Sequence, residues 1–209
     1  MVEPIVQDPY NPKRYPLLIV ISGPSGVGKD SVVQELKKRN YPFHFVVTAT
    51  SRSPRPEEVD GVDYIFVSEK KFKKMIDDDE LLEHAIVYGQ HKGIPKEQVR
   101  QALASGKDVV MRLDVQGAAT VRTIVPEAIL IFLSVPSEEE LLARLRQRDT
   151  DTEEQIQRRL RLAKEEMKRV REFDYLVMNH HCQLDDAVDQ IIAIIESEHC
   201  RAKPRQVTL

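Results

Sequence analysis

Nine consecutive residues carry the strongest chemical signal in this chain: Gly23-Pro24-Ser25-Gly26-Val27-Gly28-Lys29-Asp30-Ser31. Glycines let a backbone turn sharply, so that successive N–H groups point inward at an anion. Lys29 adds a mobile charge suited to the β- and γ-phosphates of a nucleoside triphosphate. The flanks decide between a phosphate cradle and an ordinary glycine turn. Leu17–Ile21 is an unbroken apolar run, as expected of a strand covered on both faces. A helical stretch follows to about Arg39, and its positive end would face the anion. Strand, glycine loop and helix in that order favour the cradle. One position departs. The residue after the lysine should be Ser or Thr, whose hydroxyl ligates Mg²⁺. Here it is Asp30. A carboxylate can also ligate Mg²⁺, which makes Asp30 the candidate metal residue, but it sets a negative charge beside phosphates.

A second group lies further on. Arg52 and Arg55 are three residues apart, and Tyr64 follows. Forked guanidinium hydrogen bonds could clamp another phosphate there. On charge alone, a solvated arginine pair is an equal reading.

The remaining chain supplies elements to position these groups. Asp108–Asp114, Ile129–Ser134 and Tyr175–Met178 resemble the first strand, and helical stretches alternate with them. That alternation predicts βαβ units and a parallel sheet. Ser137-Glu-Glu-Glu140 and Thr152-Glu-Glu-Gln155 have the spacing of helix starts. Asp185 to about Glu198 reads as a terminal amphipathic helix. The stretch 48–95 is different, with short alternating pieces, turn residues and one short helix near Glu69–Ile76. It predicts an inserted lobe.

Composition bounds the rest. A chain of 209 residues, 41% of them apolar, suits one compact core with small insertions. The net charge of −3 gives no basic bias toward nucleic acid. No apolar run approaches the ~20 residues that span a bilayer. Two late cysteines, Cys182 and Cys200, form no disulfide framework, so a reducing compartment is expected. His180, His181 and Cys182 are adjacent, and His199 precedes Cys200, but the usual metal-ligand spacing is absent. Asp77-Asp-Asp-Glu80 lacks a calcium-loop pattern and reads as a solvated helix end.

The order of motifs is more specific than any one of them. Gly-Pro-Ser-Gly-Val-Gly-Lys is followed by Thr-Ser-Arg-x-Pro-Arg-x-x-Glu-x-x-Gly-x-x-Tyr, Leu-Leu-Glu83, Leu-Asp114-Val-Gln-Gly, and Arg-Leu-x-x-Arg-x-Thr-Asp-Thr-x-Glu. This series resembles guanylate kinase over about residues 17–198. The Gly-Lys-Asp variant and the proline-containing leader look more like the family's plant organellar branch, which would place the chain in a chloroplast or mitochondrion.

The resemblance implies an α/β fold: a P-loop-type parallel five-stranded core with helices on both faces, a GMP-binding lobe and a lid. It divides the chain into a leader (1–16), core segments (17–47, 96–139 and 160–199), the lobe (48–95), the lid (140–159) and a tail (200–209). It also implies transfer of a phosphoryl group from ATP to GMP with Mg²⁺, by a monomer. Residues 23–31 and Asn179 fall on ATP-binding positions. Arg52, Arg55, Tyr64 and Lys92 fall on positions that hold the GMP phosphate, and Thr48, Glu83 and Asp114 on positions that read guanine. Lys29, Arg52, Arg144, Arg148 and Arg159 fall on catalytic positions, the last three as lid arginines. The base chemistry agrees. Guanine offers an acceptor at O6 and donors at N1 and N2, which match a hydroxyl and two carboxylates.

Three further departures stand out. Lys92 replaces a tyrosine, Ile94 a Ser or Thr, and Arg112 the first aspartate of an Asp-x-Asp pair. Asp30 and Arg112 together restore the charge of the usual arrangement, which predicts an ion pair between them. The rival reading is a guanylate-kinase-like module that only holds protein ligands. Such modules usually have a degraded cradle.

Overall fold

The structure is a computed structural model that describes residues 13–54, 58–87, 90–147 and 152–209. Its core is a five-stranded parallel sheet in the order β2-β7-β1-β8-β9. The strands are β1 (Leu18–Ser22), β2 (His44–Phe45), β7 (Val109–Arg112), β8 (Ile129–Ser134) and β9 (Tyr175–Met178). All residues of β1 and β8 are buried, the consequence of helices on both sheet faces. Successive residues of β1 point to opposite faces. Ile19 and Ile21 join a cluster with Val32, Leu36, Leu145, Leu160 and Ile191. Leu18 and Val20 join another with Val99, Ala118 and Val121. So α1 (Lys29–Lys38), α5 (Glu138–Arg146), α6 (Glu153–Met167) and α7 (Leu184–His199) pack on one face, and α3 (Lys96–Ala104) and α4 (Val115–Ile124) on the other. Fully burying one such side chain contributes about 1.5–3 kcal/mol.

The helix starts follow the sequence chemistry. The Ser137 hydroxyl accepts from the Glu140 N–H, capping α5. Thr152 and Gln155 form a reciprocal capping box at α6. Asp114 caps α4 by accepting from the Gly117 N–H at 2.7 Å.

The inserted lobe has its own sheet, ordered β4-β3-β6-β5, from β3 (Ala49–Thr50), β4 (Ile65–Phe66), β5 (Leu81–Val87) and β6 (Gln90–Pro95). The helix α2 (Glu69–Asp77) covers it, with Phe72 and Met75 against Ala49, Val67 and Leu81. The lobe is not isolated, since Leu82 and Ile94 pack into the core cluster with Leu18 and Val99.

α6 runs across position 159/160, and Leu141, Leu145 and Ile156 belong to the main core. α5 and α6 are therefore rooted in the core, because their apolar faces need a partner. The last residues are docked as well. Arg205 ion-pairs with Glu198, which is 1% exposed, and Val207 and Leu209 pack on the core. His199 is also structural: its ring nitrogen lies 2.8 Å from Asp108, which accepts the Leu17 N–H through its other oxygen.

Candidate active site

The glycine loop joins β1 to α1 at the carboxyl end of the sheet, where parallel α/β sheets place their ligands. Gly28 sits at φ 96° directly before α1. A Cβ there would lie 2.5 Å from the Asn179 amide nitrogen, so backbone conformation and space both require glycine. Lys29 folds back on the loop, donating to the carbonyls of Gly23 (2.5 Å) and Pro24 (2.9 Å). Asp30 and Ser31 occupy the first turn of α1.

Asp30 forms an ion pair with Arg112. Arg112 ends β7 and is paired in register with Ile21 of β1, which brings its side chain beside the cradle. The two charge departures seen in the sequence are thus one contact.

Arg144 braces the loop, donating to the carbonyls of Val27 (3.1 Å) and Asn179 (2.7 Å) and pairing with Glu140. Asn179 does the same from the end of β9, donating its amide to the Val27 carbonyl at 2.8 Å. Both residues border a cavity of about 330 Å³ with Gly26, Gly28, Ser31 and the His180-His181-Cys182 stretch. Arg159 lies on α6, half-buried, and Arg148 lies outside the described residues.

In the lobe, the Arg52 guanidinium is 4.8 Å from the centre of the Tyr64 ring and 5.4 Å from that of Phe66. Lys92 approaches the same Tyr64 ring at 5.6 Å. These three residues, cast as phosphate-holding, therefore form one cluster. Arg55 lies outside the described residues. Glu58, which the sequence analysis did not single out, grips Arg52 with both carboxylate oxygens. It occupies the fork that a phosphate would take.

Glu83 is on β5, paired with Ile94 of β6. Thr48 directly precedes Ala49, whose partner Gly93 neighbours Ile94. Ile94 itself is buried, 1% exposed, so an apolar side chain fills the place of a polar base contact. Glu83 is 7% exposed. Burial, helped by the nearby Asp114 charge, pushes its carboxyl up to about 7. Glu166, on α6, was also missed. One of its carboxylate oxygens is buried without a hydrogen-bond partner. Burial raises this carboxyl; the charges of Lys29 and Asp114 and the Ser25 N–H also act on it. Glu166 thus lies near both Lys29 of the cradle and Asp114, the neighbour of Glu83. The only sequence signal for Glu166 was its place two helical turns after Arg159.

Fold and site together define a P-loop phosphotransferase: a glycine-rich phosphate cradle on a parallel sheet, with an inserted lobe that carries an Arg52–Tyr64–Lys92 cluster and sets Glu83 beside Asp114. The comparisons with known proteins narrow this. The chain matches the guanylate kinase family over residues 15–198. It is 50% identical to guanylate kinase 2, chloroplastic/mitochondrial, of Oryza sativa subsp. japonica, over 97% of this chain and 71% of that one. It is 46% identical to the guanylate kinase of Halalkalibacterium halodurans, over 90% and 92% of the two chains. The crystal structure of guanylate kinase from Anaplasma phagocytophilum superimposes with a TM-score of 0.73 at 27% identity, covering 91% and 89%. The chain belongs to the guanylate kinase family.

Proposed function

We propose that the chain transfers the γ-phosphoryl group of ATP to GMP, giving ADP and GDP, with dGMP as a second acceptor and Mg²⁺ as its metal. The observation that carries the acceptor is the pair of carboxylates, Glu83 and Asp114, at one buried pocket. A base with adjacent donors at N1 and N2 satisfies them. Adenine presents an acceptor at N1, and the mismatch costs roughly 1–3 kcal/mol per unpaired group.

The protein has little covalent chemistry to perform; it aligns the acceptor phosphate with the γ-phosphorus and balances the charge that develops. Lys29 must leave the Gly23 and Pro24 carbonyls for the nucleotide's phosphates. Arg52 must exchange Glu58 for the acceptor phosphate. Arg159 and Arg148, the latter through family resemblance alone, supply further positive charge. Bound Mg²⁺ supplies neutralisation of the β- and γ-phosphates, and the hard oxygen of Asp30 suits it. A module that only held ligands would have no use for Lys29 beside a triphosphate.

Likeness to the rice protein supports a plastid or mitochondrial location. Among the described residues no helix is long and apolar enough to cross a membrane, and the net charge of −3 gives no basic bias toward nucleic acid. The test is an ADP-release assay with GMP, dGMP, AMP, UMP and CMP. Turnover with AMP or a pyrimidine monophosphate equal to that with GMP would overturn the assignment.

A further inference from the structure

The contact between Asp30 and Arg112 has a use beyond the fold. The strict cradle pattern ends in a neutral hydroxyl that meets Mg²⁺, whereas this chain ends it in a carboxylate. An uncompensated carboxylate would repel the triphosphate, and the structure compensates it with Arg112 from the end of β7. The pair is open to solvent: the Asp30 side chain is 60% exposed and that of Arg112 is 33% exposed. Pairs this exposed do little for stability. What it sets is the charge at the mouth of the cradle. A carboxylate oxygen is a hard donor that Mg²⁺ accepts, and a guanidinium cannot ligate a metal at all. The two partners therefore answer oppositely to a metal-bearing nucleotide.

We propose that Asp30 exchanges Arg112 for the Mg²⁺ of the bound nucleotide, so that the ion pair makes nucleotide binding more strongly metal-dependent than a neutral hydroxyl would. Without metal, Asp30 keeps Arg112 occupied and the phosphates gain no cation from it. With metal, Asp30 turns to Mg²⁺ or its waters and Arg112 is freed toward the phosphates. This rests on the reading of residues 23–31 as the ATP cradle, and is independent of which monophosphate is the acceptor.

The experiment is a calorimetric titration of the whole chain with ADP and with a non-hydrolysable ATP analogue, in excess Mg²⁺ and in excess chelator. The quantity read is the ratio of the two Kd values. Asp30→Ser releases Arg112, so metal-free affinity should rise about tenfold and the ratio should fall about tenfold or more. Arg112→Asp leaves Asp30 unopposed and adds a second negative charge, so metal-free affinity should fall about tenfold or more while the ratio does not shrink. Asp30→Ser with Arg112→Asp moves the carboxylate to the strand and should return the ratio to within about threefold of wild type. A ratio unchanged in Asp30→Ser overturns the proposal, as do strictly multiplicative effects in the double variant. Neither ligand is turned over and no GMP is present. Failure here leaves the GMP reading intact, and a chain inactive on GMP would still report a ratio.

Discussion

The carboxylates of Glu83, on strand β5 of the lobe, and Asp114, the N-cap of core helix α4, converge on the backbone of Gly117. Asp114 caps α4 through the Gly117 N–H at 2.7 Å. A Cβ built on Gly117 would lie 3.0 Å from the Glu83 carboxyl carbon and 3.4 Å from an Asp114 oxygen. The two carboxylates thus meet because strand β5 of the inserted lobe reaches the first turn of a core helix.

That contact makes Gly117 a sensitive position. Gly117→Ala forces the Glu83 carboxylate to give way while leaving the cradle untouched. A misplacement of about 1 Å can cost about 10²-fold; here the carboxylate has to give by a few tenths of an ångström, so kcat/KM for GMP should drop by about 3–10-fold. Affinity for the ATP analogue should hold. Equal losses for both nucleotides would show that the substitution damages the fold rather than the pocket.

Glu83 predicts opposite responses in function and stability. Its carboxyl is raised from 4.5 to about 7. The folded chain therefore binds more protons than the unfolded one between those values, and this group's contribution to stability falls as pH rises from about 4.5 to 7. Keeping it ionised above pH 7 costs on the order of 3 kcal/mol. Glu83→Gln should accordingly unfold at a higher denaturant concentration than wild type at pH 8. GMP use should fall in the same variant. In wild type, kcat/KM for GMP should rise through pH 7. GMP's own phosphate titrates near pH 6, so the Glu83→Gln profile is the control. Identical profiles for the two proteins would remove Glu83 from guanine binding.

Arg52 is gripped by Glu58 and lies beside the touching rings of Tyr64 and Phe66, its side chain 12% exposed. Its planar fork suits that geometry, and lysine does not reproduce it. Arg52→Lys should raise KM for GMP by about 10–100-fold, the loss of one forked charged hydrogen bond. An unchanged KM would place the acceptor phosphate elsewhere.

Arg159 should act on the transferring group. Removing a charge that works in the transition state costs about 10²–10³ in turnover. Arg159→Ala should therefore bind both nucleotides nearly as wild type does and turn over slowly. Arg148→Ala should behave alike. Normal turnover in both would exclude them from the reaction.

The docked C-terminal residues carry a stability prediction. Burial pushes the Glu198 carboxyl up, but hydrogen bonds from Arg205 and Tyr175 outweigh it and leave the group below its ordinary value. A lowered carboxyl stabilises the fold above its unfolded pKa, and the contribution is lost as pH falls through the folded one. Arg205→Ala leaves that carboxylate short of a partner and should cost about 1–3 kcal/mol at pH 7, less at acidic pH. Equal denaturation midpoints for variant and wild type at pH 7 would show that the end of the chain is dispensable.

Much of this protein is determined by local sequence. The β8 and β9 runs, the Ser137 and Thr152 caps and the cradle depend on neighbours within a few residues. Apolar continuity, short capping side chains and glycine conformations act at that range, so their positions could be read directly. The pairing of Asp30 with Arg112 was also legible, because two charge changes of opposite sign on adjoining core elements need one another. What the tertiary structure decided involves groups distant in sequence. Arg144 and Asn179 brace the Val27 carbonyl because α5 and β9 both end beside the cradle. Glu58 holds Arg52, Glu166 comes near Lys29 and Asp114 from α6, and the final residues seal Glu198 against the core. Each depends on which helix face or strand end meets which neighbour. No residue type or local spacing encodes that, since it is fixed only when the apolar faces have packed.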